Sequence, residues 1–535
     1  MSENQFTIKS VTPTLIEVEV KDLQASMNFN IGSYIKIPIE DKENDFLIGI
    51  IESYNITTKE EDNQPKVFVL NVQPIGTLFK NENNIDFKSG FIHIPIPPIH
   101  KMNLVEKLEL EQIYNCNLKK EEKFIFSKLS QNNTIEVPIN GNRFFNKHIA
   151  IVGATGSGKS YAIAKILQNV INTNKNNSHF VIFDLHSEYH TAFPTAKIIG
   201  SNEILVPYWL FSFHELEELF EINTEKEQYI SKLFYAIILQ NKIKHFKGND
   251  KEKQKIEINS MLYFDIEEVH SFFVDKNSEM EQGSRGLKQG EMYGKLTNFI
   301  EKFERILKNK RMNFIFNQKT KASNFQDILQ MYVQPKNKSE GSNITIIDLG
   351  GLPFEIVNIA VSFISRILFE FAYNYKRITN KIEVPILLVF EEAHKYVPQS
   401  DLVKYRASKH SIERIAKEGR KYGISLLIAS QRPSDVSTTI FAQCNNFIAM
   451  RLTNPEDQNY VKKLLPDTLA WLTNNLPILR TGEALLFGDA IQIPSIVQID
   501  RCKPEPSSSD IPYLEKWSEQ WKDIDFDKIV KDWEK

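Results

Sequence analysis

Short runs that alternate apolar with polar residues fill the first hundred positions: "TLIEVEV", "SYIKIPI", "FLIGIIESY", "KVFVLNVQPI" and "FIHIPIP". A period of two, broken by polar turns containing Gly, Asn or Asp, predicts closely spaced strands and hence a small β-barrel or sandwich over residues 1–100. Residues 101–135 are charged, helical in character, and predict a connector. From about residue 136 the pattern changes to unbroken apolar runs: "KHIAIVG", "HFVIFDLH", "NITIIDLG", "PILLVFEEAH", "GISLLIASQ" and "NNFIAMRL". Strands lose their alternation when helices cover both faces of a sheet, so these runs predict a doubly wound, largely parallel sheet. The second and third runs are separated by about 160 residues. Within that gap, residues 206–340 carry helical spacing ("HELEELFEINTEKEQYISKLFYAIILQNKIKHF", "KLTNFIEKFERILKNK"), which predicts a helical insertion dividing one α/β core into 136–205 and 341–500. Residues 501–535 remain as a tail.

Composition narrows this picture only slightly. At 535 residues the chain has room for two to four domains. Its 65 basic and 68 acidic residues leave a net charge of −3, so a polyanion would have to be met by a local patch. Three cysteines, Cys116, Cys444 and Cys502, lie far apart without metal-ligand spacing, which fits a reducing compartment. The start lacks a basic-then-apolar signal region and no long uninterrupted apolar window occurs, so a cytoplasmic location is expected.

Chemistry enters with "HIAIVGATGSGKSYAIAKIL", residues 148–167. Gly153 to Ser160 fits G-x-x-x-x-G-K-[ST], with an apolar strand before it and an amphipathic helix after it. Gly153, Gly156 and Gly158 let the loop curl so that its N–H groups, with those of Thr155 and Ser157, converge on phosphates at a helix N-terminus. Lys159 supplies a cation to the β and γ phosphates, the Ser160 hydroxyl can ligate Mg²⁺, and Tyr161 continues the expected nucleotide contacts. ATP and Mg²⁺ are therefore the expected cofactors. In "LLVFEEAH" a strand delivers Glu391, assigned to the metal, and Glu392, assigned to orienting or deprotonating the attacking water. Two acids capping the next helix is the plainer alternative. "GISLLIASQRP" ends in Gln431, whose amide can contact a γ-phosphate or merely close a turn.

With these parts assembled the chain resembles the HerA family, within the HerA–FtsK group of RecA-like P-loop ATPases. The resemblance rests on "NKHIAIVGATGSGKS", "VIFDLHSEYH", "VPYWLFSFHELEELF", "ITIIDLGGLPFEI", "VFEEAHKYVP" and "ERIAKEGRKYGISLLIASQRPSDVS" in that order. It implies an N-terminal barrel, a RecA-like core with an inserted helical bundle, a C-terminal brace and a homo-hexamer threading DNA through a central pore. It also places Asp184 and Glu188 in the family's acidic run, makes Glu392 the catalytic acid, and makes Arg420 a candidate arginine finger, with Arg414, Arg432 and Lys421 as competitors. Two positions depart from the family pattern. Ser187 stands where glycine is common, and Lys147 precedes His148 where arginine is common, weakening a second trans-acting cation to a lysine.

Residues 401–424 hold seven Lys/Arg against three acids, and 301–321 hold seven against two. Such density could track DNA phosphates or simply form a solvated face; Lys404, Arg406 and Lys409 are the DNA candidates. Trp517, Trp521 and Trp533 crowd the last 19 residues, where they suggest a docking surface. By resemblance, such motors act with an effector enzyme, a nuclease or an NAD-consuming, sirtuin-like protein, in DNA end processing or antiphage defence. The chain carries no nuclease motif of its own. A ring scaffold regulating a partner, or a conjugation or segregation pump, are the rival readings; no membrane spans or winged helix speak for the pump.

Overall fold

The structure is a computed structural model that describes residues 6–20, 29–39, 42–57, 67–81, 84–90, 102–173, 177–223, 225–283, 286–333, 343–400, 407–508 and 511–533. Its first unit is an antiparallel sheet of β1 (Phe6–Val11), β2 (Ile16–Val20), β3 (Tyr34–Ile39), β4 (Lys42–Thr57), β5 (Val67–Asn81), β6 (Asn84–Ser89) and β7 (Asn103–Leu104). The described pairs follow an open path, β1-β2-β5-β4-β3-β7, with β6 on β5. Both faces of this sheet are used. Ile35, Ile37, Leu47, Ile51, Leu70 and Val72 close a small core of their own, while Tyr34, Ile48, Ile50, Leu78 and Phe87 on the other face join the main core. A buried hydroxyl cluster fastens the contact: Tyr34 lies 3.0 Å from Tyr114 and 3.2 Å from Ser495, and Tyr114 lies 2.7 Å from Ser495. Tyr114 belongs to α1 (Lys107–Asn115).

The expected helical connector over 101–135 holds only for α1. After it come β8 (Lys123–Phe124), β9 (Ser127–Leu129), β10 (Asn132–Glu136) and β11 (Ile139–Asn140). Phe124, Phe126, Leu129 and Ile135 are buried, and the alternation in "KFIFSKL" is that of strands, which the surrounding charges obscured. β8 pairs with β11, whereas β9 and β10 extend the main sheet.

That sheet has eleven strands in the order β10-β9-β22-β21-β20-β12-β19-β18-β13-β17-β14. All six unbroken apolar runs become neighbouring parallel strands: β12 (His148–Val152), β13 (His179–Asp184), β17 (Ile344–Asp348), β18 (Ile386–Phe390), β19 (Ile424–Ser430) and β20 (Cys444–Met450). β14 (Lys197–Ile199) adds a parallel edge. β21 (Glu483–Gly488) and β22 (Ser495–Ile499) run antiparallel beside β20 and lead to β9. Helix α2 (Lys159–Asn172) follows the loop after β12.

Between β14 and β17 the chain is mainly helical: α3 (Phe213–Leu219), α4 (Gln228–His245), α5 (Ile266–Ser278) and α6 (Thr297–Lys308), with a hairpin of β15 (Met280–Gly283) and β16 (Gly286–Gln289). Phe220, Phe234, Phe273, Phe299 and Phe303 form its centre, ring to ring at 4.2 to 6.4 Å. Arg366, on α7 (Phe354–Thr379), donates to both oxygens of buried Glu215 at 3.0 and 2.9 Å and to Leu210 O at 2.7 Å, tying these helices to the core. Among the described residues α7 is the one helix long and apolar enough to cross a membrane, and most of it is buried inside the protein. The tail contains α9 (Tyr513–Ser518) and α10 (Phe526–Trp533), separated in sequence from α7 by α8 (Ala407–Glu418). Residues 511–531 are exposed throughout, with Trp517 at 74% and Trp521 at 95%, so these tryptophans are not covered by their own core.

Candidate active site

β12 is the middle strand of the eleven, and both neighbouring strands hold the loop that leaves it. Gly153 N donates to Ser430 O at 3.2 Å and Ala154 N to Arg451 O at 2.7 Å. Gly156 (φ 72°) and Gly158 (φ 103°) adopt backbone conformations that side chains resist. Gly153 is glycine for space: a Cβ there would stand 2.6 Å from Ser157 Oγ and 2.9 Å from Met450 Cβ. The loop thereby presents its N–H groups and the start of α2 to one cavity of about 550 Å³. Lys159 is buried at its floor, donating to Gly153 O at 2.8 Å and Ala154 O at 3.3 Å. Burial lowers its pKa below the usual lysine value, and the nearby carboxylates of Glu392, Glu391 and Glu188 work against that shift.

One strand beyond β19, β18 delivers the acids. Glu391 and Glu392 are both 4% exposed. Ser160 Oγ donates to Glu391 Oε1 at 3.4 Å. Burial first, then the charges of Glu188, Asp184 and Glu392, push the Glu391 carboxyl up to about 9. Oε2 of Glu391 and of Glu188 are buried without a hydrogen-bond partner. A hydroxyl beside crowded, under-satisfied carboxylates fits Mg²⁺, which takes one or two protein oxygens and completes its shell with phosphate and water. No cage of three His, Cys, Asp or Glu ligands occurs among the described residues, and that mode of binding requires none.

Glu392 sits in the left-handed region at φ 49°, a conformation costing a non-glycine residue about 1–2 kcal/mol. Its carboxylate is held between the Gln431 amide, in a short contact, and His394 Nδ1 at 3.3 Å. Gln431 Oε1 in turn accepts from Thr155 Oγ1 at 2.6 Å. A continuous polar chain therefore runs from the phosphate loop through Gln431 to Glu392. His394 Nδ1 also lies 3.3 Å from Ser430 Oγ, and burial keeps its pKa low.

Of the other predicted residues, Thr155, Gly156, Gly158, Tyr161 and Glu188 line the cavity, while Ser157 is fully buried beneath it. Asp184 does not line it. Its oxygens accept from the N–H groups of His186, Glu188 and Tyr189 at 3.0 to 3.2 Å, so it caps its own loop and positions Glu188. Ser187 takes φ 56° and donates to Asp348 Oδ1 at 2.8 Å; that bond supports a conformation in which glycine would be at ease. Lys147 is also not part of this chain's cavity. It precedes β12 at the opposite edge of the sheet and pairs with Asp489. Arg420 stands at that same far edge, before β19, exposed and without an ion-pair partner among the described residues. Two of its three competitors are engaged: Arg414 with Glu370 at 2.9 Å and Arg432 with Asp435 at 3.6 Å. Lys409 donates to Gln399 O at 3.3 Å, away from the cavity, and Lys404 and Arg406 lie outside the described residues.

The far side of the cavity comes from a region without any motif. Thr481, Gly482, Gln498, Ile499, Arg501 and Glu505 line it. Thr481 Oγ1 donates to Gly156 O at 3.3 Å and Gly482 N to Ser157 O at 3.0 Å. Backbone contacts of this kind leave no trace in residue type.

Residues 125–368 match the family described as "Helicase HerA, central domain". A probable helicase of Methanocaldococcus jannaschii is 25% identical across 92% of this chain and 90% of its own length. The DNA double-strand break repair helicase HerA of Sulfolobus acidocaldarius is 28% identical across 83% of this chain and 82% of its own. Among solved structures, VirB4 of Thermoanaerobacter pseudethanolicus aligns at TM-score 0.48 with 14% identity, over 74% of this chain and 99% of that one.

Proposed function

From the match of residues 125–368 to the HerA central domain and the similarity of most of the chain to HerA helicases, we propose that it is an ATP-hydrolysing DNA translocase or helicase that works as a homo-hexameric ring. The observation that carries this reading is the polar chain Thr155–Gln431–Glu392, which joins the phosphate loop to a carboxylate at the end of a nearby strand. In hydrolysis a water attacks the γ-phosphorus, the bond to the β-phosphate oxygen breaks, and Glu392 orients the water and accepts its proton. Gln431 bridges Thr155 and Glu392, so an arriving γ-phosphate meets this amide first and competes for it. Ser160 and Glu391 would hold Mg²⁺, which supplies charge neutralisation on the phosphate oxygens when bound. Lys159 leaves the loop carbonyls for the β and γ phosphates.

Arg420 acts in trans in this reading, stabilising charge on the phosphoryl group of the neighbouring chain. The exposed tail braces an adjacent protomer, residues 1–100 serve as the family's N-terminal barrel, and residues 206–340 serve as its helical bundle. DNA passes through the ring, tracked by basic side chains of 401–424 in a salt-sensitive and sequence-tolerant manner. The names of the relatives, DNA double-strand break repair helicases, favour DNA end processing; in this reading the effector is a nuclease, and an NAD-consuming partner in antiphage defence is the variant reading.

Glu392→Gln in the full chain is expected to keep nucleotide binding while lowering ATP turnover by roughly 10²- to 10⁴-fold. Undiminished turnover would remove Glu392 from the chemistry. Turnover indifferent to DNA, with the effector bound, would favour a scaffold over a motor.

A further inference from the structure

The strand order leaves the two ends of the cavity unequal. β19 and β18 bring Gln431, Glu391 and Glu392 to one side of the phosphate loop, while β20, β21 and β22 bring Thr481, Gln498 and Arg501 to the other. A triphosphate whose γ end faces the acids must send its ribose and base toward the second side. We propose that Gln498 and Arg501 form the base subsite of the nucleotide and select adenine over guanine. This rests on the phosphate-loop reading above and extends it to the nucleoside half.

The segment is built to hold such a group in place. Ile499 N donates to Gly482 O at 2.9 Å and Asp500 N to Phe126 O at 3.0 Å. Lys503 N donates to Gln168 Oε1 at 3.1 Å, and Gln168 Nε2 to Pro504 O at 2.8 Å, fixing the segment on α2. Thr191 Oγ1 donates to Glu505 O at 2.7 Å and Ser507 N to Glu188 O at 2.9 Å, fixing it on the loop that carries Glu188. Within this rigid frame Arg501 is exposed and has no ion-pair partner among the described residues. Its guanidinium is free to lie against a ring face.

Gln498 spends one N–H on Ile499 O at 3.3 Å, leaving its amide oxygen available. It is seated against Gly482 (φ 81°), where any Cβ would stand 2.7 Å from its Nε2. An amide offers one donor and one acceptor side by side. That pairs with the N7 and N6 amino group of adenine, whereas guanine presents two acceptors, N7 and O6, along the same edge.

Calorimetric titration of the full chain with ATP, GTP and inorganic tripolyphosphate separates the two halves of the site. Arg501→Ala is expected to weaken ATP and GTP about tenfold and tripolyphosphate less than twofold. Gln498→Leu is expected to bring the ATP and GTP affinities within about threefold of each other from a wild-type preference of about tenfold or more. If both variants bind ATP as wild type does, or lose tripolyphosphate in proportion, the base subsite is wrong. Lys159→Ala is expected to lose all three ligands; if it keeps them, the phosphate-loop reading fails instead.

Discussion

His148, the first residue of β12, is fully buried and uses both ring nitrogens. Nδ1 accepts from Leu426 N at 3.0 Å, so the proton resides on Nε2, which donates to Ala416 O at 2.8 Å. Ala416 lies in the last turn of α8, where carbonyls outrun their helical donors, and four residues before Arg420. Protonation would drive a second N–H against Leu426 N–H in a dry site. Burial accordingly lowers the pKa to about 4, the Ala416 bond acts in the opposite direction, and the Arg420 charge adds to the lowering. In the unfolded chain the imidazole takes its proton near its ordinary 6.5. Between these values the unfolded state binds the proton and the native state does not. Stability from this residue is therefore complete above 6.5 and is lost as pH falls toward 4. The gap corresponds to about 3 kcal/mol by pH 4, of which about 2 kcal/mol falls between pH 7 and pH 5. His148→Asn keeps a donor and an acceptor but does not titrate. Urea unfolding of both proteins at a series of pH values should show the wild type losing about 2 kcal/mol more than the variant from pH 7 to pH 5. Parallel profiles, differing by a constant, would refute the buried neutral imidazole as the clamp on α8.

Gly153→Ala forces a methyl into Ser157 Oγ and Met450 Cβ; a loss of about 1–3 kcal/mol in stability is expected, together with loss of the melting-temperature rise that ATP confers. Glu215→Leu leaves the Arg366 guanidinium buried without its carboxylate and should cost about 3–5 kcal/mol in denaturant unfolding, most of it recovered in Glu215→Leu/Arg366→Met. Mixing Lys159→Ala with Arg420→Ala chains, each inactive alone, should restore up to about a quarter of wild-type turnover, because a random interface receives both intact groups with probability one half times one half. No recovery after demonstrated subunit exchange would place Arg420 outside the neighbour's chemistry.

The parallel core was legible because six apolar runs lack alternation, and only a sheet covered on both faces tolerates that pattern. The phosphate loop was legible because its glycines answer to backbone torsion and close approach, constraints that act within eight residues. Strands β9, β10, β21 and β22 were harder. They are short, half polar, and paired with partners far along the chain, so no local period announces them. Asp184 was placed beside Glu188 in the family's acidic run, but three N–H groups of the following turn occupy it, and no spacing distinguishes a carboxylate used by its own loop. Lys147 was read as a trans-acting cation, and it lies before a parallel strand, at the edge of the sheet opposite the loop that follows that strand, so it does not reach its own chain's cavity. The wall made by Gly482 and Ile499 acts through backbone groups that any residue supplies.

That separation of edges is also what makes the proposed chemistry require a second chain. Among the described residues, the only lysine or arginine side chains lining the cavity are Lys159 and Arg501, and Arg501 stands on the side away from the acids. Lys159 alone faces the charge that accumulates on a γ-phosphoryl group, whereas ATPases of this class add a guanidinium for that purpose. Arg420 is exposed and has no ion-pair partner among the described residues, yet it lies before β19 while Gln431 lies after it, and seven strand residues at ~3.3 Å each put roughly 20 Å between them. No rotamer spans that distance. A contact that sets the β19 entry edge of one chain against the β12 exit edge of the next joins unlike surfaces, and contacts of that type close into rings or continue as filaments. In the ring proposed above, the exposed aromatic tail, leaving beside the nucleotide cavity from a segment pinned to α2, would give each chain a second grip on its neighbour, and a second grip favours closure over open growth.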